Sequence, residues 1–180
     1  MKSIKLLLFF VLMANTLTAQ KFVATDTDSK IKFAIKNFGL TVDGTFSGVK
    51  GTILFDSKNI EKSEITLSVN SNSVNTDNKE RDKHLKKEDY FSVEKFPLIS
   101  FTSTRITKKI GINKFLINGN LTIKGITKPV EFEVTISNKD AILTIKGTLQ
   151  LNRKTYKVGG NSMVLSDNVK LNFTLNYKEE

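Results

Sequence analysis

The sequence predicts an all-β protein, an antiparallel up-and-down barrel or a sandwich of about eight strands with one inserted helix. Three observations carry that prediction. Apolar and polar residues alternate at period two through most of the chain. The breaks between these runs are short, as antiparallel neighbours require. A single long interruption, within Ser73 to Phe101, shows helical periodicity instead.

Taken in order, the chain of 180 residues begins with a segment of different character. Lys2 and Lys5 form a basic start, Leu6 to Met13 is a short apolar run, and Ala14 to Ala19 supplies a cleavage region. Residues 1–19 therefore read as a signal peptide, too short to span a bilayer. Export to a periplasm or beyond is the expectation, with residues 20–180 forming one domain. Cysteine is absent, which excludes a lipoprotein anchor, a disulfide frame and a zinc–thiolate site. Removing two lysines from 28 basic residues leaves 26 against 18 acidic ones, a net charge of +8. Such a surface can meet anionic lipid head groups, or can simply keep the protein soluble. Nucleic acid is not an expected partner, since Trp is absent and no arginine cluster or recognised module occurs.

Ile31, Phe33 and Ile35 alternate with Lys32, Ala34 and Lys36, giving the first long strand, with a short extra one possible at Phe22 to Asp26. Lys50 to Phe55 and Ile65 to Asn70 follow, the latter placing Ile65, Leu67 and Val69 on one face. After the interruption come Leu98 to Ile106, Phe115 to Ile123, Val130 to Ile136, Leu143 to Leu151 and Val169 to Tyr177. Each has one apolar and one wet face. Pro97 and Pro129 each stand before a strand run, where a missing N–H does least harm. Gly51, Gly119 and Gly147 fall in phase with inward apolar residues, so they either leave interior space or permit the bends of a closed sheet.

A closed eight-stranded barrel either fills its interior with side chains or holds one small ligand. The inward positions Phe33, Ile35, Ile65, Leu67 and Phe101, together with Ile117, Gly119, Phe132, Val134 and Phe173, are the candidates to line such an interior. They carry no charge. Each methylene of a hydrocarbon ligand buried there would contribute about 0.8 kcal/mol. A polar head group would have to remain at a mouth, because burying it unpaired is costly.

The interruption supplies candidates for that mouth. Asp77 can cap a helix and Glu80 can reach back to it. At 100° per residue Lys79, Lys83, Lys86 and Lys87 share one side, while Arg81, His84, Leu85 and Glu88 share the other. Arg81 is one of three arginines among 25 lysines, and His84 is the sole histidine. An arginine on an inner face suggests planar, multidentate hydrogen bonding, either to loop carbonyls or to a ligand head group. No catalytic set assembles. One histidine cannot build a His/Cys metal site, and the Gly44, Gly48, Gly51 spacing fits no phosphate or dinucleotide loop. Asp26 and Asp28 read as turn residues, and Glu131 and Glu133 point outward. The expectation is no enzyme, no metal and no cofactor.

Two ordered segments resemble a known family. They are Arg81-Asp82-Lys83-His84-Leu85 with Asp89-Tyr90-Phe91, Lys95-Phe96-Pro97, Ile99-Ser100-Phe101 and Ser103, and the later run Gly119 to Val130, GNLTIKGITKPV. They are similar to the signatures of the YceI family of periplasmic, lipocalin-like proteins. The resemblance implies an eight-stranded antiparallel lipocalin-like β-barrel that carries a polyisoprenoid or other long apolar lipid. Arg153-Lys154-Thr155-Tyr156 resembles a further family segment, but Lys157 stands where the pattern has Gly. Arg81, His84, Arg153 and Tyr156 are accordingly the candidates for a head group. The competing expectation is an exported interaction or stress-related module whose barrel is solid and ligand-free. The oligomeric state is left open, a dimer included.

Overall fold

The computed structural model describes residues 20–56 and 58–180. The expected signal peptide lies outside the described residues. Among the described residues ten strands occur: β1 Gln20–Ala24, β2 Lys30–Asn37, β3 Leu40–Phe46, β4 Lys50–Phe55, β5 Glu64–Asn70, β6 Leu98–Lys108, β7 Lys114–Ile123, β8 Ile126–Lys139, β9 Ile142–Asn152 and β10 Leu165–Glu179. Helix α1, Lys79–Leu85, sits between β5 and β6. Pairing is antiparallel throughout, in the order β1-β4-β5-β6-β7-β8-β9-β10 and back to β1, which closes an eight-stranded barrel. Closure leaves no strand of this ring unpaired along a whole side, although β8 and β9 part locally at one end.

The long β10 makes room for two further strands. One end of it pairs with β1, from Phe22↔Glu179 to Ala24↔Tyr177, and the other with β2, from Thr174↔Lys30 to Leu165↔Asn37. The chain turns between them at residues 25–29, where the Thr25 N–H donates to the Asn176 carbonyl and Asn176 N–H to Ser29 Oγ. Asp26 is a turn residue that accepts the Val49 N–H at 2.6 Å. β3 then pairs only with β2 among the strands, and the Thr45↔Asn75 bridge ties it to the segment before α1.

Four sequence expectations change. β3 was not foreseen because its inward residues are Val42, Gly44 and Phe46, so alternation is broken by a glycine against which the Phe33 ring lies. Pro129 lies inside β8, not before it. It is tolerated because β8 pairs with β9 only from Val134 to Lys139, leaving Pro129 in a stretch bound on one side. In α1 the cap is Asn78, whose Oδ1 accepts the Arg81 N–H at 3.0 Å, whereas Asp77 precedes it with φ of 57°. The helix ends at Leu85, so projecting its faces further fails: Glu88 is exposed and Lys86 half-buried.

The two ends of the barrel differ in packing. At the end carrying the β6–β7 and β8–β9 turns, Phe22, Ile53, Ile106, Leu143 and Tyr177 are all at most 1% exposed. This end is filled. At the other end burial is mixed: Phe33, Val69, Phe101 and Leu121 are buried, but Leu67, Phe132, Leu149, Leu171 and Phe173, inward in the same phase, are only half-buried. Inward yet accessible means that they face space.

Candidate ligand-binding site

That space is a cavity of about 560 Å³, within the roughly 300–1,000 Å³ usual for small-molecule sites. Its floor is Ile117, Ile145 and Leu175, above the packed end. Its waist is a row of aromatic rings, with Phe101–Phe132 centroids at 5.5 Å and Phe132–Phe173 at 5.6 Å. Its rim is built by α1, by the β9–β10 loop and by the β2–β3 turn, which contribute Arg81, Ser162 and Asn37. The wall parts on one side, since β8 and β9 are unpaired beyond Val134↔Gly147 toward the rim.

Of the ten proposed interior residues, Phe33, Ile35, Ile65, Leu67, Phe101, Ile117, Phe132 and Phe173 line this cavity. Gly119 and Val134 do not, and the reason corrects the expected role of the glycines. A Cβ on Gly119 would collide with the Phe101 ring, and one on Gly147 would lie 2.6 Å from Phe173 and 2.9 Å from Val134 Cγ1. The glycines are therefore roofed by phenylalanine rings that lie flat against the sheet, as in aromatic rescue of sheet glycines. Space is gained indirectly, because flat rings occupy less of the lumen than projecting ones.

Three of the four head-group candidates converge on the rim with uncommitted or partly committed atoms. Arg81 donates from Nε to Thr76 Oγ1 and from Nη2 to the Thr76 carbonyl, both at 2.8 Å. Thr76 is held in turn by Asp82, which accepts from its N–H at 2.8 Å and its hydroxyl at 2.6 Å. Two of the five guanidinium N–H groups are thus used. Among the described residues no carboxylate lies within ion-pair distance of Arg81. Its planar charge faces the cavity mouth. His84 packs its ring on Tyr90, 4.8 Å between centroids, and lines the same mouth, although the sequence placed it on a buried face. Tyr156 is buried at the rim, and burial raises its phenol above the ordinary range.

Arg153 also borders the cavity but is spent. Nε donates to the Ser166 carbonyl at 2.9 Å, Nη1 to those of Val158 and Gly160 at 3.0 and 2.9 Å, and Nη2 to Leu165 carbonyl and Asp167 Oδ1 at 3.3 and 3.2 Å. All five N–H groups are satisfied within the chain, which is what a 5% exposed guanidinium requires. Its function here is to knit the β9–β10 loop. Lys157 occupies a left-handed conformation, φ 53° and ψ 35°, so the turn that a glycine would make survives with a lysine in it. Gly159, at φ 69°, is where glycine is needed: its N–H donates to the Asp89 carbonyl at 2.7 Å, and a Cβ would press on Tyr90 and Arg153. Sequence reasoning missed this docking of the loop onto the segment after α1. The Gly159-Gly160 pair was its signal.

The class of protein is thus a closed barrel with one filled end, one open end and an apolar lumen. The YceI-like domain model matches residues 22–177, and the chain belongs to that family. It is 42% identical over 107 residues to Protein YceI of Salmonella arizonae, a match covering 59% of this chain and 55% of that protein. The chain thus aligns with about half the length of the curated relatives it matches. The crystal structure of Burkholderia cenocepacia BcnA superposes with a TM-score of 0.80 at 24% identity, covering 85% of this chain and 98% of that one. A polyisoprenoid-binding domain from Saccharophagus degradans, implicated in plant cell wall breakdown, superposes with a TM-score of 0.71 at 16% identity, covering 91% and 100%. At these identities the two structures establish the fold.

Proposed function

We propose that the chain is an exported carrier that holds one isoprenoid or similar long apolar chain in the barrel and moves or stores it. The observation that carries this reading is the accessibility of inward Leu67, Phe132, Leu149, Leu171 and Phe173 around the cavity, set against the tight packing of the same phase at the other end. A solid barrel would bury both alike. The naming of a structural relative as a polyisoprenoid-binding domain supports the choice of ligand class. The reading of residues 1–19 as a signal peptide supports export to a periplasm. The chain's residues would bind rather than react: an uncharged lumen excludes water and sorts by length and branching, while Arg81, His84 and Tyr156 hold the polar end at the rim. Titrating delipidated protein with a polyprenol tests the reading. A saturable rise in melting temperature is expected, since a ligand at 100 times its Kd adds about 2.7 kcal/mol of stability.

A further inference from the structure

The turn between β2 and β3 is built against its own residue preferences. Asn37 pairs with Leu40, and the two residues between them, Phe38 and Gly39, have φ of 51° and 77°. Two positive φ values mark a type I′ turn, whose first central position favours Asn, Asp or Gly. Phenylalanine there is strained, and its ring is not compensated by burial, being 74% exposed. Leu40 beside it is 73% exposed. The β9–β10 loop presents its own apolar residues next to this tip: the Phe38 N–H donates to the Val164 carbonyl at 2.9 Å, and Met163 is fully exposed. Met163 is not a loose end. Ser162 Oγ accepts the N–H groups of Val164 and Leu165 at 3.2 and 3.0 Å, and Arg153 grips the Gly160 carbonyl, so the loop is fixed with the thioether outward.

The patch is continuous with the cavity. Val164 and Asn37, which neighbour Met163 and Phe38 in the chain, also line the rim. A long apolar ligand has negligible solubility in water, so it must leave and join a lipid phase. From these observations we infer that Phe38, Leu40, Met163 and Val164 form a wedge that inserts into a bilayer surface and brings the cavity mouth into register with it. This inference rests on the lipid-carrier reading and adds the surface through which loading occurs. Lys36, exposed on β2 next to the tip, and the exposed Lys79 and Lys83 of α1 at the same end suit an anionic membrane. An apolar tip flanked by cations is the usual make-up of an interfacial anchor.

The test uses Phe38→Asn and the double variant Phe38→Asn/Met163→Ser. Asparagine suits the left-handed position, so the first variant should fold at least as stably as wild type, which separates loss of the wedge from loss of structure. Delipidated proteins are floated with vesicles of phosphatidylcholine and phosphatidylglycerol, and transfer of a fluorescent polyprenol analogue from those vesicles is timed. The same analogue is also presented from solvent, without vesicles. The expected result is vesicle association and transfer about tenfold weaker in the double variant, with solvent-presented binding unchanged. Wild-type association and transfer in the double variant would overturn the inference. So would a wild-type dimer that the variants convert to monomer, since the wedge would then be seated on a second copy. Failure of wild type to bind the analogue from solvent would overturn the carrier reading instead, and flotation of the empty protein would still judge the wedge.

Discussion

Two leucines on one face of one strand distinguish a hollow barrel from a solid one. Leu143 and Leu149 are both inward on β9, six positions apart, Leu143 fully buried in the closed end and Leu149 half-buried on the cavity wall. Leu143→Ala opens a hole among packed neighbours, so it should cost the usual large-to-small penalty of about 2–5 kcal/mol. Leu149→Ala enlarges a space that already exists. Its penalty in delipidated protein has little cavity contribution and should stay near 1 kcal/mol. The ligand reverses the order, because Leu149 would touch the bound chain. Losing about 1–2 kcal/mol of apolar contact there weakens binding by roughly 5- to 30-fold, while Leu143→Ala leaves affinity within about twofold. Urea unfolding of both variants, with and without a polyprenol, measures all four quantities. Equal destabilisation of the empty proteins, with no difference in ligand affinity, would mean that the barrel is packed alike at both ends.

Other expectations follow from single residues. Arg81→Met should lower affinity for a phosphate-bearing isoprenoid by about tenfold or more relative to the neutral alcohol, since charge-assisted hydrogen bonds contribute roughly 1.5–3 kcal/mol. Equal losses for both ligands in calorimetry, with a lowered melting temperature, would leave Arg81 as a helix anchor through Thr76 alone. Arg153→Met orphans carbonyls of the β9–β10 loop and should destabilise by about 3 kcal/mol or more, weakening neutral and anionic ligands alike; selective loss of one of them would contradict this. Tyr177 is buried and its hydroxyl has no partner among the described residues, so Tyr177→Phe should be near neutral in stability at pH 7. Burial raises the Tyr177 phenol above its unfolded value. The folded state then holds a proton that the unfolded state releases above pH ~10, and stability should fall there by up to ~1.4 kcal/mol per pH unit. Denaturant melts across that range should show a shallower fall in the Phe variant, with Tyr156, whose phenol burial also raises, accounting for part of what remains.

Much of this was legible in the residues, and the gaps have physical causes. Strands whose inward positions are all branched or aromatic, such as Val130 to Ile136, announce themselves through alternation. β3 did not, because Gly44 replaces an inward side chain with a ring supplied by another strand, a cross-strand property that no local window contains. The same holds for Gly119 and Gly147: their phase was readable, but whether they were empty or roofed depended on Phe101 and Phe173 from neighbouring strands. Arg81 and Arg153 looked equivalent as rare arginines in a lysine-rich chain. Only the count of satisfied N–H groups separates them, two used in one case and five in the other, and those partners come from carbonyls that any sequence provides. The apolar turn at Phe38 escaped for a related reason, since Phe-Gly between Asn37 and Leu40 reads as part of a loop until both positive φ values place it at the tip of a hairpin.

Whether the barrel carries an apolar chain can be read from solvent extraction of the purified full chain followed by mass spectrometry. One class of long, branched hydrocarbon lipid is expected at close to one molecule per barrel, lost when the lumen is blocked by a bulky residue at Leu149. An extract with no such lipid, from a protein that also gains no stability when a polyprenol is added back, would contradict that expectation.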